Sequence, residues 1–375
     1  MRASRRAFSV VEVIVLAIVL VLVIAIAFAF SQRTRRTTQR PMKDSAQIRG
    51  IHQGMVLLAQ SAPDQYVIPS WVDTSHTTLT PESAKDDLGN ILSVYLFNGF
   101  FSTELTVSPS EQSPLIQVYT NYALSRPPAA VQTPPDNNPG NNALWDPSFR
   151  GSPAEQVTRN GTKPVGTLAP EANVIAHNSY AMMPYFGARR AKWSNTFQAN
   201  EAVIGNRGPM YEMVGSGAAA KSRLLDTGTN TSQAGFVSQT GKGTNSMTLG
   251  IHGDKKTWEG YIAYNDNHVN FETRADPENN PWRFSGLSLA EGRQRPDNLF
   301  LSEDDDTVTP MPAQIGTMSV PMQATSGGDA NGAATPGGAT SVRNALSMSN
   351  NWLRTWTVES VNEKAETSGV TVVVD

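Results

Sequence analysis

Two histidines and an aspartate, His252, Asp266 and His268, fall within one short stretch of the chain. Such a set is a legitimate donor group for a divalent metal. The residues between them favour a different reading. Lys256–Tyr264 and His268–Glu272 alternate in polarity around Asn265-Asp266-Asn267, the pattern of a β-hairpin. Asn and Asp tolerate the left-handed backbone that its turn needs, so structural roles are expected for all three residues. Gly215–Ser222 (GSGAAAKS) approaches a phosphate-binding loop, but Ala220 stands where a glycine must let the backbone near a phosphate. Gly286–Ala290 (GLSLA) is one glycine short of a nucleophile elbow. Asp304, Asp305 and Asp306 continue an acidic run begun by Glu303. The run offers the hard oxygen donors that calcium takes and equally reads as a solvated loop. With no complete catalytic motif, a non-enzymatic role without an obligatory cofactor is expected.

The elements that must position these residues start from an asymmetric chain. Of its 375 residues, those from 1 to 43 carry eight Lys or Arg against the single acid Glu12, while the remainder is acidic. The basic end flanks an apolar stretch, so anionic lipid head groups are its natural neighbours. The acidic body lacks the basic footprint of a nucleic-acid binder. There is no cysteine, which excludes thiolate catalysis, disulfides and cysteine zinc sites.

From Val13 to Phe30 the residues are apolar without interruption, long enough for a membrane-spanning helix. Glu12 stands at its edge, and a carboxylate there needs compensation. The stretch Arg5-Arg6-Ala7-Phe8-Ser9-Val10-Val11-Glu12 resembles the class III signal of type IV prepilins: a basic leader, a small residue, a cut before Phe and Glu at the fifth mature position. The resemblance implies a leader over 1–7, cleavage by a prepilin peptidase between Ala7 and Phe8, and N-methylation of Phe8. It further implies that Glu12 pairs with the N-terminal amine of a neighbouring subunit. The family prefers Gly before the cut, where this chain has Ala7.

Ile48, Ile51, Met55, Leu58 and Ala62 recur at three- and four-residue steps, which predicts an amphipathic helix within 31–65. Gln47–Ile51 followed by Gln65-Tyr66-Val67-Ile68-Pro69 is similar to the "QIG" helix and "Y-x-x-P" exit of pilin-like proteins of planctomycetes. His252-Gly253 with the hairpin through Asp266 and His268 resembles the "H-x9-DG" signature of that group. Here the spacing is longer and Asn267 replaces the glycine. Asn178–Met182 resembles its "SYA" strand. Some pseudopilins hold calcium in a head loop, which for this chain would involve Asp304, Asp305 and Asp306.

The expected fold class is α+β. A long N-terminal transmembrane helix (8–30) continues outside the membrane (31–65) into a mainly antiparallel pilin-like head with long loops (66–309). Short apolar runs such as Leu92–Phe97 and Met247–Ile251 are read as strands of that head. A Gly/Ala/Pro-rich linker (310–342) and a C-terminal unit (343–375) complete the chain, with a helix over Asn344–Trp356 and a strand over Gly369–Asp375. The expected function is that of a non-catalytic pilin-like or pseudopilin subunit at the cytoplasmic membrane. Its N-terminus would be cytoplasmic and its head extracytoplasmic. Its expected partners are the prepilin peptidase, other pilin subunits and membrane lipid, and no nucleic acid. The alternative is an anchored cell-surface binding module that does not polymerise.

Overall fold

The computed structural model describes residues 40–61, 64–133, 138–139, 142–164, 174–214, 221–226, 243–254, 256–283, 294–303 and 348–373, together with Val19. Helix α1 is described over 40–59. Its apolar stripe of Ile48, Ile51, Met55 and Ala59 is fully buried, and Arg49, Gln53 and Leu57 face solvent. That division follows from the helical period of 3.6 residues. A short helix α2 (Pro69–Val72) opens on a proline, whose missing N–H costs nothing in a first turn. Helix α3 (Leu88–Phe97) is buried along nearly its whole length.

The strands form one principal sheet and several small ladders. Two-residue strands β1 (Gln132–Thr133) and β2 (Asn138–Pro139) pair with each other. The principal sheet comprises β3 (Tyr180–Met182), β4 (Ala202–Asn206), β7 (Gly260–Tyr264) and β8 (Val269–Glu272), all antiparallel, in the order β3-β4-β7-β8. Between β4 and β7 the hairpin β5 (Tyr211–Val214) and β6 (Lys221–Leu224) projects as its own ladder. Strands β9 (Pro281–Arg283) and β10 (Gln294–Pro296) pair, as do β12 (Ser360–Val361) and β13 (Thr367–Ser368). Strand β11 (Thr355–Thr357) pairs with β14 (Thr371–Val373).

The C-terminal tail meets the β3 edge of the sheet. Met182 of β3 exchanges both backbone hydrogen bonds with Arg354, at 3.0 and 2.9 Å. An exposed edge strand is a template for unwanted pairing, and this contact occupies it at Met182. The tail is also tied to the start of α3. Trp356 Nε1 donates to Asp86 O at 3.2 Å, and Thr367 Oγ1 donates to Asp86 Oδ2 at 2.7 Å. Tyr185, Phe186, Trp193 and Trp356 pack at ring separations of 4.1 to 6.3 Å within the main core.

Several expectations are corrected. A long N-terminal transmembrane helix feeding a single antiparallel head does not describe this fold. Among the described residues no helix is long and apolar enough to cross a membrane. Helix α1 carries Arg40, Lys43, Asp44 and Arg49, and the strands divide between a four-stranded sheet and separate two-stranded ladders. Residues 1–30, the leader and apolar stretch, lie outside the described residues apart from Val19. Leu92–Phe97 is not a strand but part of α3, because a short, wholly buried apolar run has no period that separates helix from strand. Met247–Gly250 is a single 3-10 turn. In place of the helix over Asn344–Trp356, residues 348–354 run without helix into β11. Trp352, Leu353 and Trp356, all buried, face the core from this extended segment.

Candidate functional site

The buried face of α1 is not purely apolar. Asp44, Gln47 and His52 share it with Ile48, Ile51 and Met55, and all three are buried. A buried carboxylate needs partners for its lone pairs and its charge. Asp44 finds three of them, two on the sheet and one in the turn before β7. Tyr180 of β3 donates its hydroxyl to Oδ1 at 2.6 Å. Asn206 at the end of β4 donates from Nδ2 to Oδ2 at 2.8 Å. His252 places Nε2 2.6 Å from the same Oδ2. Burial, followed by the charge of Asp44, drives the Tyr180 hydroxyl far above its ordinary range, so it stays a donor.

Each partner is itself held. Asn206 also accepts from the Tyr261 N–H at 2.7 Å through Oδ1. Room for its side chain exists because residue 260 is glycine, where a Cβ would lie 3.0 Å from Asn206 Cβ and 2.6 Å from Trp258 Cζ2. His252 meets the rings of Tyr261 and Phe271 edge-on, a cross-strand pair of β7 and β8. Gln47 Nε2 donates to Glu104 O at 2.7 Å, tying the same helical turn to the loop after α3.

A second contact lies two turns further along α1. His52 has Nδ1 3.0 Å from Asn267 Oδ1 and Nε2 3.2 Å from the Tyr66 hydroxyl. Tyr66 donates in turn to Asn265 Oδ1 at 2.6 Å. Asn265 and Asn267 belong to the β7–β8 turn, where Asn267 has φ of 69°. Burial lowers the His52 imidazole below its usual value, against the opposing pull of Asn267 and Asp266. The helix is thus fastened at two points of its buried face by polar contacts to β3, β4, the turn around His252 and the β7–β8 turn.

The residues singled out in the sequence divide among separate tasks. His252 joins this clamp. Asp266 and His268 pair with each other inside the turn, where Asp266 also accepts the His268 N–H at 3.1 Å and His268 stacks on Tyr264. Burial raises the Asp266 carboxyl, but the hydrogen bonds from His268 outweigh it and leave a net lowering. Among the described residues no three metal-ligating side chains converge. Asp304, Asp305 and Asp306 lie outside the described residues, as do Ala7, Phe8 and Glu12. Lys221 and Ser222, at the end of the near phosphate loop, are on β6 rather than at the start of a helix. A phosphate loop needs that helix terminus. The residues missed in the sequence are Asp44, Tyr180, Asn206 and His52. Asp44 and His52 had a visible signal, being polar positions on the apolar stripe of an amphipathic helix.

Comparison with protein-family profiles, curated proteins and solved structures finds no match.

Proposed function

We propose that this chain is a non-catalytic, pilin-like subunit that is processed by a prepilin peptidase and built into a fibre of the pilus or secretion type. The processing signal is the stretch from Arg5 to Glu12, with the cut between Ala7 and Phe8. The apolar residues from Val13 to Phe30 hold it at the cytoplasmic membrane before assembly and face neighbouring subunits afterwards. Glu12 compensates a neighbour's terminal amine, which offsets the cost of a carboxylate in an apolar bundle.

The observation that supports this reading best is the Asp44 clamp. Residues 40–59 follow the apolar stretch closely in sequence and are built into the head through Tyr180, Asn206 and His252. A module that only needed tethering would do with a flexible linker. A fibre subunit needs its head in a fixed relation to the packing segment.

The test is co-expression with a prepilin peptidase and the matching assembly machinery. The expected outcome is a mature chain beginning at methylated Phe8 and sheared fibres that contain it. A Glu12→Ala variant is expected to mature but to be lost from the fibres. An unprocessed chain, or a Glu12→Ala variant that assembles as well as the parent, refutes the proposal. A second reading, an anchored binding module, draws support from an open cleft of about 740 Å³ beside Tyr211, Arg223, Trp258 and Asp276. That volume lies within the range of small-ligand sites. It predicts a chain that stays monomeric under the same conditions.

A further inference from the structure

Lys163 is enclosed between two carboxylates in the interior. Its Nζ lies 3.1 Å from Asp87 Oδ2 and 2.8 Å from Glu155 Oε2, and none of the three side chains is more than 2% exposed. One ammonium facing two carboxylates leaves an excess negative charge that a buried site relieves by keeping a proton. Burial raises the Asp87 carboxyl, Lys163 opposes the rise, Glu155 adds to it, and the balance stands at about 7. For Lys163, burial pulls downward, and the two carboxylates outweigh it to give a net upward shift.

Backbone donors fix both acids. The Val358 N–H donates to Asp87 Oδ1 at 2.7 Å. The N–H groups of Gly89 and Gly151 donate to Glu155 Oε1 at 2.9 and 3.0 Å. Asp87 occupies the N-cap position of α3, where an aspartate ordinarily accepts from the first turn of its own helix. Its side chain makes no such bond. Glu155 takes the Gly89 N–H instead, which leaves the Asp87 carboxyl facing the lysine. The space is tight: a Cβ on Gly89 would meet the Glu155 carboxylate, and one on Gly151 would lie 2.6 Å from Gly89 N.

We infer that Lys163 and Asp87 condense into an intramolecular isopeptide bond, with Glu155 as the proton carrier. The 3.1 Å contact between Lys163 Nζ and Asp87 Oδ2 places the amine beside the carboxyl group that it must attack, and holding two reacting groups together in this way removes most of the entropy cost of their meeting. Glu155 takes one proton from the Lys163 ammonium and frees the amine lone pair. The amine attacks the Asp87 carboxyl carbon, whose protonated form carries no repelling charge. A C–N bond forms and the C–O bond of the departing hydroxyl breaks. That hydroxyl leaves as water with the second proton given up by the nitrogen. The balance is ammonium plus protonated carboxyl going to amide plus one water, with the remaining proton held on Glu155, and it needs no oxidant, cofactor or activating group. With the proton on Glu155, the product replaces a buried ion pair at this site with neutral groups. It closes the segment from 87 to 163 in a chain that has no cysteine and hence no disulfide. Through the Val358 bond it also anchors the C-terminal tail.

The test is mass spectrometry of the purified full-length chain, intact and after proteolysis. The expected result is a mass lower than that of the unlinked chain by one water, with a branched peptide joining Lys163 to Asp87. Recovery of both residues in separate linear peptides, with no missing water, overturns the inference. Glu155→Gln keeps the shape and both backbone hydrogen bonds but cannot take the proton. It is expected to fold, by circular dichroism, and to lack the branched peptide. Equal cross-linking in Glu155→Gln overturns the role of Glu155, and cross-linking that persists in Lys163→Arg overturns the assignment of the bond.

Discussion

Asp44 is stable inside the fold because both of its carboxylate oxygens have partners. Replacing it with alanine leaves Tyr180, Asn206 and His252 facing an empty place. Each buried polar group left without its partner in this way costs about 1–3 kcal/mol. Asp44→Ala is therefore expected to lower the denaturant midpoint strongly, which chemical unfolding followed by tryptophan fluorescence will measure. His177 makes a second case. Its Nδ1 accepts the Arg150 N–H at 3.1 Å and its ring stacks on Tyr119. Burial, then the charges of Arg150 and Lys163, pull the imidazole down from 6.5 to about 3. The folded state therefore binds a proton less readily than the unfolded state. Stability is present above 6.5 and is lost as pH falls from there toward 3. The loss is about 2 kcal/mol by pH 5. His177→Asn retains an acceptor but cannot charge, and its unfolding free energy is expected to vary less over that window. A parent and variant with equal pH slopes would reject this account.

At the scale of elements, the interlock between α1 and the sheet depends on where β7 gives way. Gly260→Ala puts a methyl group against Trp258 and Asn206. Overpacking of this kind costs about 1–3 kcal/mol, and here it pushes Asn206 away from Asp44. The expected result is a lowered melting temperature together with faster amide exchange along α1, read by hydrogen–deuterium exchange. The amphipathic helix was legible in Ile48, Ile51 and Met55, and the β7–β8 hairpin in the alternation around Asn265–Asn267, because both signals are local. The partners of Asp44 were not legible, since Tyr180, Asn206 and His252 stand 136 to 208 positions away. Leu92–Phe97, read as a strand, deceived for another reason. Buried on all sides, it shows no polar face to mark a turn of helix. His252, Asp266 and His268 were seen as a group in the sequence, but the fold sends the first to the clamp and keeps the other two in the turn.

For the molecule as a whole, the tail from 348 to 373 decides whether the head holds together. It meets β3 through Arg354 and contacts the start of α3 through Trp356, Val358 and Thr367. Deleting it is expected to give soluble aggregates on size-exclusion chromatography, even with every strand of the principal sheet intact. A monodisperse truncated chain would show that the edge needs no cover. The same feature bears on the order of events during synthesis. Strands β3 and β4 are made well before their cover, so the growing chain must wait, half-finished, until the tail arrives. Productive folding of this head is for that reason expected to be a late event, completed only when Arg354 reaches Met182.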